Sequence, residues 1–305
     1  MPDVLAFPTL GTATPARVGD VVAALLAHLA GARVPEAARE ARDIVAAIVD
    51  MPRFWPSMNR GAPLDTEQCA RVWEAARRRA SGAPFAYAVG RAAFRHLTLD
   101  VDERVLIPRQ ETEVLVECVL ARAQHGVAID VGTGSGAIAL ALATEGQFTR
   151  VIATDVSREA LDVARSNTIR LAGALRAPVE LRHGSLLAPV RGERANVLVS
   201  NPPYIAFDEA VMLPRSVRDW EPPLALLAPR HGMAAIATLI RGGADVLEAD
   251  GLLALEIDER RASLAAEMAM SDGRYRDVTV ERDLAGRDRI LVATRVGTHG
   301  TRTEE

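Results

Sequence analysis

One stretch in the middle of the chain decides the fold: Val127-Ala128-Ile129-Asp130-Val131-Gly132-Thr133-Gly134-Ser135-Gly136. Its first half is a short apolar run that is typical of a buried strand, and an apolar helical pattern follows at residues 137–143. Glycines at such a strand-to-helix turn allow a tight bend and a close approach of the backbone to a ligand, while the helix N-terminus adds partial positive charge. The stretch therefore predicts a cofactor-binding loop made of Asp130, Gly132, Thr133, Gly134, Ser135 and Gly136.

The spacing of these glycines bears on the identity of the cofactor. It is G-x-G-x-G rather than the G-x-G-x-x-G of a dinucleotide-binding turn, which favours S-adenosyl-L-methionine over NAD. Asp155 ends the next predicted strand, residues 151–155, where its carboxylate can bind both hydroxyls of a ribose. An acidic residue there is shared with NAD enzymes, so Asp155 does not discriminate between the two cofactors. A glycine turn that only packs a helix on a sheet is the structural alternative.

The segments around this loop alternate between strand and helix patterns. Apolar strand runs are predicted at residues 127–131, 151–155, 179–182, 195–200, 252–257, 275–280 and 289–293. Before the first strand, a loop at residues 106–113 is predicted to run into a helix at 114–123. Helical periodicity is found between the strands at residues 137–143, 160–171, 233–247 and 260–270. This alternation predicts an α/β fold in which helices cover a Rossmann-like, mostly parallel, doubly wound sheet.

A second motif, Asn201-Pro202-Pro203-Tyr204, follows the predicted strand 195–200, and we name these four residues the lip. The prolines have no N–H group, so two consecutive positions can only accept hydrogen bonds, and each proline holds the residue before it extended. Such a lip suits a planar substrate with an –NH2 group, because carbonyls accept its hydrogens and the Tyr204 ring stacks on its face. A strand-end turn with a Pro-Pro stop is the alternative.

The cofactor loop and the lip are predicted to meet at one edge of the sheet. In open α/β sheets, ligands bind outside the carboxyl ends of the strands, near the point where the strand order reverses. Each motif follows a strand at its carboxyl end, so both are expected to face the same crevice. Their agreement favours a binding role for the lip over a simple turn.

The first part of the chain has a helical character instead. Apolar residues at three-to-four spacing predict helices at 18–29 and 36–49, and a third helix follows the N-cap Asp65 and runs to Arg79. A break at Ser81-Gly82-Ala83-Pro84 ends this part. The predicted organisation is a helical domain at residues 1–83, a hairpin or linker at 84–110, the α/β domain at 111–296 and a disordered tail at 297–305.

Composition excludes several classes of protein. The net charge of −4 argues against a protein whose main task is to hold long nucleic acid, although it allows a local basic patch. Cys69 and Cys118 offer neither a disulfide framework nor metal-ligand spacing, so no metal is expected. No apolar run reaches membrane-spanning length, and the start of the chain lacks a basic region followed by an apolar core. A cytoplasmic enzyme without a membrane partner is the prediction.

The chain resembles the HemK-type protein-(glutamine-N5) methyltransferases over nearly its whole length. Besides the cofactor loop, the matching stretches are Leu106-Ile107-Pro108-Arg109-Gln110-Glu111-Thr112-Glu113, Thr154-Asp155-Val156-Ser157, Ser200-Asn201-Pro202-Pro203-Tyr204-Ile205, Glu221-Pro222-Pro223-Leu224-Ala225-Leu226 and Asp283-Leu284-Ala285-Gly286-Arg287-Asp288-Arg289. The resemblance implies a class I S-adenosylmethionine-dependent methyltransferase fold, with a seven-stranded sheet and an N-terminal helical domain. Gln110, Ser185 and Asp258 depart from the family's usual residues, and Ser185-Leu186 lies where the adenine pocket is expected.

The resemblance also implies the reaction, which is transfer of the sulfonium methyl to the side-chain amide nitrogen of a glutamine in a peptide-chain release factor. Asn201, Pro202, Pro203 and Tyr204 would form the catalytic lip. Asn201 Oδ1 and the Pro202 carbonyl would accept the two amide hydrogens, and Tyr204 would pack on the amide plane. Cofactor contacts are expected from the glycine loop, Asp155, Leu186 and Asn201, and substrate recognition from the N-terminal helices.

Three alternatives stay open at this point. A sister group that methylates a large-subunit ribosomal protein shares the lip. Methylation of adenine N6 or guanine N2 needs a similar lip, although the acidic balance and the absence of a large basic segment argue against a stable nucleic-acid partner. A catalytically silent cofactor-binding or interaction protein is the third, which the departures at Ser185 and Asp258 allow.

Overall fold

The computed structural model describes residues 16–297 of the chain. The chain divides into two compact units, Met1–Val89 and Gly90–Glu305. The division lies within the segment 84–110 that the sequence predicts to be a hairpin or linker. The predicted disordered tail 297–305 lies, apart from Gly297, outside the described residues.

The first unit is built mainly from helices. Its elements are β1 (Ala16–Arg17), α1 (Val18–Gly31), α2 (Ala37–Ile48), α3 (Trp55–Met58), β2 (Pro63–Leu64), α4 (Thr66–Ala80) and α5 (Phe85–Val89). The apolar faces of α1, α2 and α4 share one core around the fully buried Leu25, Ile44 and Val72. Helix α4 begins where the sequence predicts it, because Asp65 and Gln68 form a reciprocal capping box between side chains and backbone N–H groups.

The second unit combines a sheet with surrounding helices. Its strands are β3 (Arg91–Phe94), β4 (Leu97–Asp100), β5 (His125–Val131), β6 (Gln147–Asp155), β7 (Val179–His183), β8 (Ala195–Ser200), β9 (Leu247–Glu256), β10 (Tyr275–Arg282) and β11 (Asp288–Arg295). Its α-helices are α6 (Gln110–Arg122), α7 (Ala137–Glu145), α8 (Arg158–Arg170), α9 (Arg215–Arg218), α10 (Pro223–Leu226), α11 (Ala234–Val246) and α12 (Ala262–Ser271). Short 3-10 turns lie at Ala172–Ala174, Ala188–Val190, Phe207–Met212 and Glu259–Arg261.

Within residues 16–297, the main sheet has seven strands in the order β10-β11-β9-β8-β5-β6-β7. Strands β7, β6, β5, β8 and β9 run parallel, and β11 pairs antiparallel with both β9 and β10. The predicted seven-stranded, mostly parallel sheet is therefore confirmed. The strand order reverses between β5 and β8, which is where such sheets bind ligands.

The central strands are buried on both faces because helices cover the sheet. Ile129, Ile152, Leu198 and Leu253 are fully buried in one large apolar core. Helix α7 is apolar on nearly all sides, and all its residues from Ala137 to Ala143 are buried. A helix that is apolar all round needs neighbours on every side, so α7 is fixed between the sheet and the adjoining helices.

Some elements begin earlier than the sequence patterns predict. Helix α6 starts at Gln110 rather than near Val114, so Thr112 lies in a helical first turn and not in a loop. Strand β9 starts at Leu247, directly after α11, rather than at Leu252. Residues 248–250 near its start are exposed, and Glu248 and Asp250 interrupt the apolar run, which is why the apolar pattern misses this part of the strand. No helix in the described part of the chain is long and apolar enough to cross a membrane.

Candidate active site

The cofactor loop leaves the carboxyl end of β5 and turns into α7. Gly132 and Gly134 have φ angles of +75° and +54°, a region that favours glycine. A Cβ atom on either residue would meet no other described atom within 4 Å, so both face open space where a ligand can approach the backbone. The conformation and the free space agree with the close-approach role that the sequence predicts for these glycines.

Asp155 ends β6 and holds the loop in place. Its Oδ2 accepts a hydrogen bond from Gly134 N at 2.9 Å, and its Oδ1 accepts one from Ser157 N at 2.9 Å. Burial raises the pKa of the Asp155 carboxyl, while these backbone donors oppose the rise. A carboxylate oxygen has two lone-pair directions, so each oxygen can accept one further hydrogen bond from a ligand hydroxyl.

Asp130 lies beneath the loop and is fully buried. Its Oδ2 accepts from Thr133 Oγ1 at 2.6 Å and from Ala139 N at 3.1 Å. Its Oδ1 is buried and has no hydrogen-bond partner within the described residues. Burial raises the pKa of this carboxyl to about 7. Asp130 does not line the cleft, but a buried oxygen without a partner is costly, which is typical of a functional position.

Not every residue of the predicted loop faces the ligand space. Thr133 and Ser135 are buried, and neither they nor Gly136 line the cleft that Gly132 and Gly134 border. Thr133 supports Asp130, and the Ser135 carbonyl accepts a hydrogen bond from Asn167 Nδ2 at 2.9 Å. Thr133 and Ser135 thus support the loop from behind, and the direct cofactor contacts expected from them and from Gly136 stay predictions.

A cleft of about 410 Å³ lies at the carboxyl edge of the sheet, and both motifs border it. Gly132, Gly134 and Asp155 line it on the cofactor-loop side, and Asn201, Pro202 and Pro203 line it on the lip side. Ser185 and Leu186 also line it, beyond the end of β7, and Leu186 has a φ angle of +47°. The topological switch point therefore brings the separately predicted motifs into one concave space.

The lip is anchored at its first residue. Ser200 Oγ donates to the Val131 carbonyl at 2.6 Å, which joins the ends of β8 and β5. Asn201 Nδ2 donates to Thr112 Oγ1 at 3.0 Å. No group in the described part of the chain donates to Asn201 Oδ1 or to the Pro202 carbonyl. Two adjacent acceptors thus remain available beside the cleft.

Tyr204 is the last residue of the lip. Its ring packs against the large apolar core and does not line the cleft, and its hydroxyl donates to Glu256 Oε1 at 3.3 Å. Burial raises the pKa of the phenol, and the neighbouring Glu256 carboxylate raises it further. Packing of the ring and the hydrogen bond of its hydroxyl hold Tyr204 in this position, and its packing on the substrate amide plane stays a prediction.

Two further ion pairs lie in the stretches that carry the family resemblance. Arg109 Nη2 contacts Glu221 Oε1 at 2.5 Å and so joins two of these stretches, and Glu221 Oε2 accepts from Ile107 N at 3.2 Å. Within a third stretch, Arg289 Nε on β11 contacts Asp283 Oδ2 at 3.4 Å. Pro222 and Pro223 follow Glu221 and line the cleft, so the Arg109–Glu221 pair positions one cleft wall.

The sequence reasoning missed three supporting residues. Thr112 and Glu256 lie behind Asn201, and Asn167 is fully buried, where it bonds both the cofactor loop and Asp100 of β4. Thr112 lies in a quoted matching stretch, and Glu256 ends the strand next to the lip's strand, so each had a positional signal. The only signal for Asn167 was that it is a polar residue on an otherwise apolar helix face. Among residues 16–297, no group of His, Cys, Asp and Glu side chains is arranged to hold a metal ion.

Comparison with known proteins matches both units. The model of the methyltransferase small domain family matches residues 109–213, and that of the PrmC N-terminal domain matches residues 20–90. In fold, the chain is similar to the catalytic domain of hMettl16 in complex with MAT2A 3'UTR hairpin 6, with a TM-score of 0.50 and 17% identity over 78% of this chain and 85% of that chain. The methyltransferase fold class is therefore confirmed.

Curated relatives agree with the family models. A release factor glutamine methyltransferase from Moorella thermoacetica is 45% identical over 228 residues, which cover 74% of this chain and 80% of the relative. Another from Cereibacter sphaeroides is 38% identical over 277 residues, which cover 91% and 98%. The chain belongs to the release factor glutamine methyltransferase family.

Proposed function

We propose that this chain uses S-adenosyl-L-methionine to methylate N5 of a glutamine side chain in a peptide-chain release factor. The observation that carries the proposal is the placement of Asn201, with its Oδ1 unpartnered among the described residues, in the same cleft as Gly132, Gly134 and Asp155. A methyl donor and an amide acceptor can therefore be held side by side. Membership of the family supports both the reaction and the class of substrate.

The residues present fit the cofactor. Gly132 and Gly134 leave space for close approach, and Asp155 retains acceptor capacity for ribose hydroxyls. The unpartnered Asp130 Oδ1 provides negative character beneath the loop. Leu186 supplies apolar surface where the adenine is expected. When bound, S-adenosyl-L-methionine supplies an electrophilic methyl group on a sulfonium.

The lip prepares the acceptor nitrogen. An amide nitrogen is a weak nucleophile because its lone pair is delocalised into the carbonyl. Asn201 Oδ1 and the Pro202 carbonyl accept its two hydrogens, which directs the nitrogen toward the methyl group. Such preorganised alignment of two reactants can lower a barrier by roughly 7–11 kcal/mol. Pro203 keeps the loop stiff, and Tyr204 supports it from beneath.

The first unit is proposed to recognise the protein substrate. It corresponds to the PrmC N-terminal domain. Its Pro-rich segment 51–58 exposes Phe54 and Met58 by 75% and 82%. Exposed large apolar side chains in one segment are typical of a surface that contacts another protein. A release factor substrate would place the activity in the cytoplasm.

The test is a methylation assay with Asn201→Ala. Purified release factor is incubated with labelled cofactor, and the modified residue is mapped by mass spectrometry. We expect the wild type to methylate one glutamine, and the variant to lose transfer by more than about a hundredfold while its cofactor Kd changes little. Near-normal turnover by Asn201→Ala would remove the lip from the reaction.

Parallel substrates separate the alternatives. Methyl groups found only on a large-subunit ribosomal protein would move the chain to the sister group. Methyl groups found only on RNA or DNA would support nucleobase methylation. Cofactor binding in calorimetry without transfer to any of these substrates would indicate a catalytically silent protein.

A further inference from the structure

Behind Asn201 lies a buried network of hydrogen bonds that includes Thr112 and Glu256. Thr112 Oγ1 donates to Glu256 Oε2 at 2.6 Å, and Asn201 Nδ2 donates to Thr112 Oγ1 at 3.0 Å. Thr112 and Glu256 have relative exposures of only 4% and 1%. These contacts join three elements: the first turn of α6, the carboxyl end of β9 and the start of the lip.

The direction of each hydrogen bond in this chain follows from chemistry. When Glu256 is ionised, its carboxylate only accepts, and the hydrogen of the Thr112 hydroxyl points toward it, which is the direction of the 2.6 Å contact. The Thr112 oxygen then presents a lone pair to Asn201, which only the Asn201 –NH2 group can satisfy. A flipped carboxamide would place Oδ1 against that lone pair, and both acceptors would be left without a hydrogen. The chain therefore selects the orientation in which Oδ1 is turned away from Thr112.

Glu256 is itself held in place. Tyr204 of the lip donates to its other oxygen at 3.3 Å. Burial raises the pKa of the Glu256 carboxyl and Glu111 on α6 adds to the rise, while the Thr112 hydroxyl and the Arg289 guanidinium on β11 oppose it. Burying a carboxylate is costly, so these partners are needed to keep it oriented. The carboxylate in turn fixes the hydroxyl hydrogen of Thr112.

We propose that Thr112 and Glu256 are positioning residues for methyl transfer: they orient the Asn201 carboxamide so that Oδ1 meets the acceptor –NH2 group. This inference rests on the proposed function of the lip. Neither side chain touches a reactant, because neither lines the cleft. Both act through Asn201, so their loss should lower kcat more than it weakens binding.

The test compares Thr112→Val with Thr112→Ser. Valine keeps the volume and branching but removes the hydroxyl, so the Asn201 carboxamide loses its preferred orientation. We expect kcat to fall about tenfold to hundredfold, with the cofactor Kd and the KM for release factor within about threefold of wild type. Serine restores the hydroxyl, and we expect most of the kcat to return. Thr238→Val is the control, since its hydroxyl bonds only the Ala234 carbonyl of its own helix.

Glu256→Gln tests the same inference if Thr112→Val does not fold. Glu256→Gln keeps the shape but can donate to Thr112, which allows the hydroxyl hydrogen to turn toward Asn201. We expect kcat to fall here as well, with thermal unfolding measured to confirm a folded protein. Wild-type kcat in a folded Thr112→Val or Glu256→Gln variant would overturn the inference while leaving the function intact. Absence of glutamine methylation by the wild type would instead overturn the proposed function.

Discussion

Three largely buried acidic side chains lie at the carboxyl ends of parallel strands: Asp130 is the penultimate residue of β5, Asp155 ends β6 and Glu256 ends β9. Burial raises the pKa of each carboxyl, and nearby donors oppose the rise. A fold without a ligand site gains nothing from such groups at one edge. Their concentration there is a physical sign of a binding and reaction site.

Asp130→Asn should stabilise the fold and weaken cofactor binding. The pKa of Asp130 rises from 3.8 to about 7 on folding, so between these values the folded chain holds a proton that the unfolded chain has lost. The contribution of Asp130 to the free energy of unfolding therefore falls as the pH rises from about 4 to about 7, and it stays low above pH 7. Asparagine does not titrate. Its stability advantage should grow by on the order of 2–3 kcal/mol between pH 5 and pH 8.

Denaturant unfolding of both proteins at the two pH values measures this effect. Calorimetry with S-adenosyl-L-methionine measures the accompanying loss of affinity. A stability difference that does not change with pH would contradict the assignment of the raised pKa to Asp130.

At the scale of elements, the lip is held by the loops that surround it. Ile205 N donates to the Leu226 carbonyl at 3.0 Å, and Ala228 N donates to the Ile205 carbonyl at 2.8 Å. The turn before α11 approaches closely as well, because a Cβ atom on Gly232 would collide with the Tyr204 carbonyl. Neighbouring turns thus hold the backbone of the lip, in addition to the side chains beneath it.

Gly232→Ala should displace the lip and reduce methyl transfer by about tenfold or more. Its φ angle of +81° adds backbone strain, so a control must separate strain from collision. Gly273→Ala is that control: its φ angle is +75°, yet its Cβ would meet nothing within 4 Å. We expect both variants to lose about 1–2 kcal/mol of stability from strain, and only Gly232→Ala to lose kcat. Equal kcat values for the two variants would show that the contact with Tyr204 is unimportant.

These elements also show how far local patterns reach. The α4 helix begins after Asp65 because its cap is a local hydrogen-bond exchange, and the sequence predicts it correctly. Strand β8 has the predicted bounds of residues 195–200, since its apolar run coincides with residues 197–200, which pair with both β5 and β9. Helix α6 also includes Glu111 and Thr112. Their polar side chains do not fit an apolar helical pattern, so the sequence does not predict this first turn. The hydrogen bond from Thr112 to Glu256 stabilises it in the folded chain.

The whole molecule carries a net charge of −4, and its two units have separate cores. The first unit exposes Met51, Phe54 and Met58 in one Pro-rich segment, with relative exposures of 42%, 75% and 82%. Apolar surface of this kind gains free energy when a protein partner covers it.

The double variant Phe54→Ser/Met58→Ser should lower kcat/KM for release factor by about tenfold or more, because two large apolar contacts are lost. The cofactor Kd should stay unchanged, since the proposed cofactor residues all lie in the second unit. Ile169→Ser is the control, as Ile169 is 70% exposed on α8 of the second unit. Wild-type kcat/KM in the double variant would remove this segment from substrate recognition.

The sequence by itself determined the features that arise within a few residues: the strand-loop-helix of the cofactor loop, the stiff Asn-Pro-Pro-Tyr lip and the capped helix of the first unit. Only the tertiary structure decided which distant groups meet. Thr112 and Glu256 are 144 residues apart, and Asn201 is 89 residues from Thr112. Periodicity specifies which face of an element is buried, but the pairing of buried polar groups depends on how elements pack. The position of Tyr204 depends on packing for the same reason: its hydroxyl donates to the buried Glu256, which is distant in sequence and which no local pattern indicates.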